Sequence, residues 1–514
     1  MTGKPNQVDA APGPQPEPGQ DAARTVKTPG LLLALSPLLV MFAVIVGGVV
    51  WLDLRVEVLL LIAAAYATVL ALCLGHKWQE IQDEWVVKFS KAFPAILIVL
   101  CVGVVIGSWV VSGTIPLLVY FGITVISPKF IIVTAFLVTL ILSVATGTSW
   151  GSVGTVGAAF MGVAVAMGAP LPAVAGALVS GAYFGDKMSP LSDSTNLSAV
   201  AAGVNLYKHI QHLMLTTGPG AIVCIIVYTI AGFWSAGNAP ANAGDMGEFL
   251  GQLQGLFHMS MPVALLLLVP VAIIVVGSVM RLPTVPVMLV SAASAAVLAV
   301  TVQGFKLQDT IEALMSGFTL DMFASSGNTS VDTSKLVEAI PTLLERGGME
   351  SMTNIFMVVV CAFGFVAALT VSGALDVVMA ALMKIVHTNG QLILVTVIGG
   401  IVLIAATGTS TVSFLILGGM LRQEYIKRGL EARNLGRTME DSVTVVEPII
   451  PWTLAGVYMA SALGVPTLQY APWAILCYSG VFFALLWGFT GWFVSKITEK
   501  SDDWEEYQKV LARS

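Results

Sequence analysis

The pentapeptide ATGTS at residues 145–149 returns 261 residues later at 406–410. Glycine lets a helix break and turn, which frees backbone carbonyl oxygens, and the hydroxyls of Thr146, Thr148, Ser149, Thr407, Thr409 and Ser410 add neutral oxygen ligands. These are hard donors suited to an alkali cation such as Na+. One such cluster would be ordinary, because Ser and Thr bond back within membrane helices or glue helices together. Two in matching positions, each with a turning glycine (Gly147 and Gly408), favour a binding site.

A second constellation, GAYFGDKMSPLSDSTN at 181–196, places Asp186, Lys187 and Asp193 inside an otherwise apolar segment. Ser189, Ser194, Thr195 and Asn196 surround them with further oxygens, and Gly185 and Pro190 are expected to break the helix. An ionisable side chain at a membrane-helix centre costs roughly 2.5–3.5 kcal/mol on insertion scales, so such residues usually face a polar pathway. At the same offset Asp186 maps to Glu447 and Pro190 to Pro451, with Pro448 beside them as a second helix breaker. A carboxylate facing a bound cation stays ionised and a desolvated one favours its proton, so one group can carry either ion. Lys187 is expected to pair with Asp186 or Asp193; the alternative is a tethered charge competing with the cation. For Glu440 and Asp441, near a span end, an interfacial or helix N-terminal role stands beside ion binding as the alternative.

The elements that must hold these residues follow from composition. The chain has 514 residues, 56% hydrophobic and 11% charged, and a mean hydropathy of +0.88. Most of it lies in runs of about 20 apolar residues, enough to cross a hydrocarbon core. It is therefore expected to be an all-α polytopic membrane protein. The net charge of −6 carries no basic block, which argues against nucleic-acid binding and polybasic lipid docking. Cys73, Cys101, Cys224, Cys361 and Cys477 stand alone in apolar segments, and the five histidines fall at segment ends. No zinc or other catalytic metal site, cofactor or ATP-binding loop is expected. An enzyme is not expected either: HExxH and GxSG are missing, and Asp186 follows YFG where an intramembrane aspartyl protease needs GxG.

Crossing segments are expected at 31–51, 56–75, 94–113, 171–200, 215–237, 260–279, 284–303, 353–372, 441–463 and 471–495. The interrupted stretches 130–168 and 390–419 read as re-entrant hairpins of two short helices, a backbone tolerated at membrane depth only where it is buried or lines a wet cavity. Residues 1–30, rich in Pro, Gly, Gln and Ala, read as a disordered cytoplasmic tail, and 497–514 as a cytoplasmic tail on the same side. With the N-terminus inside, 18 of the 24 Lys and Arg fall on the cytoplasmic side, as basic residues prefer.

The repeat extends beyond ATGTS. Gly75-His-Lys-Trp-Gln-Glu resembles Gly304-Phe-Lys-Leu-Gln-Asp, and Phe89 matches Phe318, at an offset of 229; Val111-Ser-Gly113 matches Val371-Ser-Gly373 at 260. The change in offset implies an external insertion near 325–350. Each half, 31–237 and 260–496 on either side of an external linker at 238–259, then holds five crossings and a hairpin. An odd number of crossings inverts the second half relative to the first, an architecture of secondary transporters with sites near the midplane.

GTSWGSVGTVG (147–157) and SGAYFGDKMSPLSDSTNL (180–197) resemble the NhaC family of sodium/proton antiporters, within a broader ion-transporter superfamily. ERGGMESM (345–352), RTMEDS (437–442) and PIIPW (448–452) extend the resemblance over nearly the whole chain. It implies Na+/H+ exchange across the cytoplasmic membrane and, for one branch, exchange of malate and protons for lactate and sodium. The superfamily implies a homodimer with a scaffold and an elevator-like transport domain. Asp186, Asp193 and the tip hydroxyls are implied to be ion ligands. The sequence departs from the pattern at Glu447, where a small polar residue is usual before the proline, and at Thr453, which replaces Asn. The expected function is exchange of H+ for Na+ at one shared site; the alternative is Na+- or H+-coupled exchange of a small organic anion.

Overall fold

Segments of Ala, Leu, Val and Ile in hydrocarbon must satisfy their own backbone groups, and a helix does this within one segment. The computed structural model describes residues 26–52, 54–238, 243–280, 282–326 and 333–512. Expectations for residues 1–25, for 239–242 of the linker, for 327–332 of the insertion and for the last two residues of the C-terminal tail lie outside these. The first half contains α1 (Leu31–Leu52), α2 (Val56–Cys73), α3 (Trp78–Val111), α4 (Thr114–Val125), α5 (Ile131–Thr146), α6 (Ser149–Ala166), α7 (Leu171–Met188), α8 (Asp193–Ala202) and α9 (Leu206–Asn238). After α10 (Ala243–Leu256) come α11 (Met261–Val279), α12 (Thr284–Thr301), α13 (Leu307–Met315), α14 (Thr353–Val371), α15 (Ala374–Met383), α16 (Asn389–Thr407) and α17 (Ser410–Lys427). The chain continues through α18 (Ala432–Ile449), α19 (Leu454–Leu463), α20 (Thr467–Trp473), α21 (Ile475–Thr490) and α22 (Trp504–Leu511).

Among the described residues ten helices are long and apolar enough to cross a membrane, or up to twelve if the bent pairs α18/α19 (47°) and α20/α21 (54°) each form one span. Apart from an antiparallel bridge between Leu430 and Lys496, no strand forms among them. The protein is an all-helical, polytopic membrane protein.

The helix breaks expected at Pro190 and at Pro448 and Pro451 form, whereas the short arms expected of the two interrupted stretches need correction. The segment 171–200 is two helices, α7 and α8, separated at 189–192, because Pro190 cannot continue the ladder and Ser192 starts a new helix by accepting a bond from Thr195 N at 3.4 Å. The segment 441–463 is likewise divided around Pro448 and Pro451. The arms of the stretches 130–168 and 390–419 are not short: Pro128–Thr146, Ser149–Ala166 and Asn389–Thr407 each have span length and apolarity, and α17 runs on to Lys427. Between Ile131 and Ala166, and between Asn389 and Lys427, the tip glycine is the one left-handed residue, so the helices continue right up to it.

Left-handed glycines recur in pairs along the chain: Gly75 and Gly304, Gly113 and Gly373, Gly147 and Gly408, Gly168 and Gly429, Gly203 and Gly464. Their offsets, 229, 260 and then 261 three times, are those of the sequence matches. Side chains at each position would be strained, which is why glycine occupies them.

Close helix packing sets the position of Asp186. A Cβ on Gly181 would lie 2.3 Å from the Phe136 carbonyl oxygen, and one on Gly185 would lie 2.4 Å from Ser143 Cβ. Glycines four apart thus let α5 and α7 touch backbone to backbone, and Ser143 Oγ donates to the Ala182 carbonyl at 2.6 Å. Gly185 therefore packs α7 against α5 inside a continuous helix and does not break it.

At the opposite end of α17 from its tip, the C-terminal segment forms a brace. Arg437 Nη1 donates to Phe493 O (2.8 Å), Asn434 and Ser495 exchange bonds (2.7 and 3.0 Å), and Ala432 N donates to Asp503 Oδ2 (2.8 Å). Arg422 Nη1 reaches both Glu506 oxygens at 2.6 and 2.7 Å, while its Nε donates to Ala202 O at the end of α8 (2.9 Å).

Candidate functional site

Both tips and both helix breaks line a cavity of about 1050 Å³. Of the residues singled out from sequence, Thr146, Gly147, Thr148, Ser149, Asp186, Pro190, Asp193, Ser194, Thr407, Thr409, Ser410 and Glu447 face it. Ser189, Thr195, Asn196, Gly408, Pro448 and Pro451 do not. Their bonds explain the difference. Thr195 Oγ1 donates to the Asp186 carbonyl at 3.0 Å, Asn196 Nδ2 donates to the carbonyls of Pro190 (3.0 Å) and Ser192 (2.7 Å), and Ser189 Oγ accepts from Leu191 N at 3.3 Å. They satisfy backbone groups that the break of α7 and α8 would leave bare. Pro448 offers its carbonyl to Tyr470 Oη at 2.5 Å.

Asp186 is buried near the end of α7. Its Oδ2 accepts from Ser194 Oγ at 3.1 Å and from Ser149 Oγ at 3.4 Å, which joins the first break to the first tip. At that tip Gly147 turns the chain at φ 71°, and Thr148 caps α6 by accepting from Gly151 N at 3.2 Å. A Cβ on Gly147 would lie 2.4 Å from that of Leu191, so the tip sits directly on the break. In the second half Gly408 turns at φ 69°, its carbonyl accepts from Leu454 N at 3.1 Å, and Trp452 Nε1 donates to Ala405 O at 2.8 Å. Glu447, buried at the start of the 3-10 turn Glu447–Ile449, faces the same space, and its carbonyl accepts from Thr453 Oγ1 at 2.6 Å.

Charge favours a cation here. Three carboxylates, Asp186, Asp193 and Glu447, line the cavity against one lysine, Lys88, which pairs with Glu84 at 3.1 Å. Among the described residues no group of three His, Cys, Asp or Glu could hold a metal ion. What the cavity offers is carboxylate, hydroxyl and carbonyl oxygen.

Several functional neighbours were not found from the sequence. Trp150 and Tyr458 stack at 4.5 Å with planes 10° apart, and Tyr458 Oη donates to Trp150 O at 2.6 Å, which links the tip of one half to α19 of the other. Trp150 was visible inside the TSWGS motif, but its partner lies 308 residues away. Tyr183, Phe363 and Thr444 also line the cavity. Ser192 was legible as a cap three residues before Thr195.

Lys187 pairs with neither Asp186 nor Asp193. Its Nζ lies 2.5 Å from Asp441 Oδ1, both side chains being buried, and Thr216 Oγ1 donates to the same oxygen at 3.1 Å. Successive helix side chains point about 100° apart, so Lys187 leaves the cavity face that Asp186 occupies. Glu440 and Asp441 are not interfacial: both are fully buried in the π turn Glu440–Thr444. Removing one partner of such a pair costs about 3–5 kcal/mol in soluble proteins, because the other charge is stranded.

Residues 181–492, which include Asp186, Glu447 and the second tip, match the Na+/H+ antiporter family. The chain belongs to that family. The antiporter is 44% identical over 471 residues to a Haemophilus influenzae protein described as an uncharacterized Na+/H+ antiporter, covering 92% of this chain and 98% of that one. It is 32% identical to the malate-2H+/Na+-lactate antiporter of Bacillus subtilis (93% and 99% covered) and 32% identical to the Na+/H+ antiporter NhaC of Alkalihalophilus pseudofirmus (89% and 95%). As a member of this family the antiporter exchanges Na+ for H+ across a membrane.

Proposed function

We propose that the antiporter carries Na+ and H+ alternately on one shared site in the cavity, with Asp186 as its principal group. The observation that carries this is the meeting of tip and break at one oxygen: Asp186 Oδ2 holds Ser149 and Ser194 together inside a cavity lined by three carboxylates. Na+ replaces the hydroxyl protons as the partner of the carboxylate and takes oxygens from Ser149, Ser194, Thr148, Thr409 and Ser410. Asp193 and Glu447 supply further negative charge. Release of Na+ leaves a desolvated carboxylate that accepts a proton.

The paired left-handed glycines support two inverted repeats, 31–237 and 260–496, joined by an external linker. In this reading both termini are cytoplasmic, the protein sits in the cytoplasmic membrane as a homodimer, and the tips move with the breaks as an elevator-like body. Backbone contact between α5 and α7 favours their moving together.

The test is proton flux into proteoliposomes containing a pH-sensitive dye, with NaCl, LiCl, KCl or choline chloride added. Flux evoked by Na+ and lost in Asp186→Asn is expected. Flux that survives the substitution would remove Asp186 from the shared site. The volume of about 1050 Å³ exceeds what one ion needs, which favours adding malate and lactate as a second arm. A Na+ response that appears only with those anions would replace simple exchange by coupled exchange of an organic acid.

A further inference from the structure

Behind the cavity, on the side of the C-terminal brace, lies a chain of buried groups that Na+ binding does not use. Ser198 Oγ donates to Glu440 Oε1 at 2.6 Å and lies 3.0 Å from His209 Nε2. All three residues are fully buried. Ser198 Oγ also lies 3.1 Å from the Thr195 carbonyl oxygen, but the contact to Glu440 is the shorter; with the hydroxyl proton directed to Glu440, His209 donates through Nε2–H and Nδ1 is left as a bare acceptor. The two ends of the chain are open. Among the described residues Glu440 Oε2 and His209 Nδ1 have no hydrogen-bond partner, and neither does Thr444 Oγ1.

These open ends point in useful directions. Thr444 lies beside the Glu440 carboxyl and also lines the cavity, and Glu440 is near enough to Asp186 for their charges to interact. His209 lies in the first turn of α9, one residue after exposed Lys208, which pairs with Asp502 of the C-terminal segment at 2.7 Å. Its Nδ1 edge meets α18 at Gly436, where a Cβ would lie 2.9 Å from that nitrogen. Lys187 and Asp441 face the chain, with Asp186 on the Glu440 side and the imidazole of His212 on the His209 side. The π turn carrying Glu440 is itself a deformation that recurs at functional sites.

We propose that His209, Ser198 and Glu440 form a proton relay between the brace side of the protein and the cavity, distinct from the route taken by Na+. A proton arriving at His209 Nδ1 is matched by release of the Nε2 proton to Ser198 Oγ, while Ser198 passes its own to Glu440 Oε1. Glu440 then delivers through Thr444 toward Asp186. Only N–H and O–H bonds change, and rotation of the hydroxyl and tautomer exchange of the imidazole reset the chain. In the orientation proposed above, the buried His209 end is the one nearer the cytoplasmic side.

Two assays on the same proteoliposomes test it: Na+-driven proton flux, and counterflow of radioactive Na+ against unlabelled Na+ at equal pH on both sides. In Glu440→Gln and His209→Gln, proton flux is expected to fall about 100-fold, the lower end of what one positioned proton-transfer group contributes, with counterflow kept. Ser198→Ala should do the same, and Ser198→Thr should restore flux. Counterflow also reports that each variant is folded. Unchanged proton flux would overturn the relay, and so would equal loss of both activities in protein that elutes like the wild type. Asp186→Asn, run alongside, should abolish both activities. If it does not, the shared site fails while the relay is still read from the Ser198 pair.

Discussion

At the first tip Thr146 Oγ1 lies 3.3 Å from Ser152 Oγ, which donates to Thr148 O at 2.8 Å; at the second, Thr407 Oγ1 lies 2.9 Å from Ser413 Oγ, which donates to Thr409 O at 3.1 Å. The breaks correspond as well: Ser192 caps α8 through Thr195 N, and Thr453 caps α19 through Gly456 N. Their chemistry differs. Asp186 is held by two serine hydroxyls, whereas the corresponding Glu447 is one methylene longer and is followed at once by proline. The backbone device is therefore separable from the charge it presents, and one half can carry the principal site while the other tunes it.

The largest effect expected from breaking this comparison is functional. Asp186→Asn should reduce Na+-driven proton flux to that of empty vesicles, whereas Glu447→Gln should lower it about tenfold, equivalent to about 1.4 kcal/mol. Equal loss in both variants, measured by dye quenching, would make the halves equivalent. A smaller effect separates the tips. Left-handed backbone costs an L-residue roughly 1–2 kcal/mol, and both Gly147→Ala and Gly408→Ala incur it. Gly147→Ala additionally drives a Cβ to 2.4 Å from Leu191, while at Gly408 the nearest atom is Phe363 Cε1 at 3.8 Å. Scanning fluorimetry should show the lower melting temperature for Gly147→Ala, and the reverse order would contradict the tip–break contact.

The smallest effect lies in the brace formed by the C-terminal segment, beyond the last apolar helix. Burial raises the Asp503 carboxyl above its ordinary range, while the Ala432 N–H and Arg422 lower it, and Glu431 and Glu506 raise it further. A raised folded-state value means that stability from this group is present at low pH and lost as pH rises through that value. The melting temperature of Asp503→Asn relative to wild type should therefore increase as pH rises from the ordinary aspartate value, about 4, through the raised folded-state value. A difference that shrinks with pH would show that the ion pair with Arg422 outweighs burial.

Much of this arrangement was legible before any coordinates. The ATGTS pair, Asp186 and Glu447 were marked by polar residues standing in apolar runs at one repeated spacing, a pattern that hydrophobicity alone does not produce. Of residues 146–149 and 407–410, all but Gly408 face the cavity. The partner of Lys187 was not legible, because adjacency in sequence suggested Asp186, while helical rotation directs the two side chains apart. Gly185 misled for a related reason: a glycine next to an aspartate reads as a hinge, and only the approach of α5 reveals a packing position. Asp193, Thr195 and Asn196 follow one another closely, yet the turn of α8 gives the cavity to Asp193 and Ser194 and the backbone to the other two.

The Lys187–Asp441 pair joins residues 254 positions apart. At synthesis rates of about 5–20 residues per second, Asp441 emerges on the order of ten to fifty seconds after Lys187. During that interval a lysine destined for a sealed interior has no counterion. Membrane insertion of α7 is therefore expected to remain provisional, with the segment held near water or the insertion machinery until α18 arrives. The ion pair would thus serve as a late checkpoint in biogenesis, closing only when both halves of the chain have met.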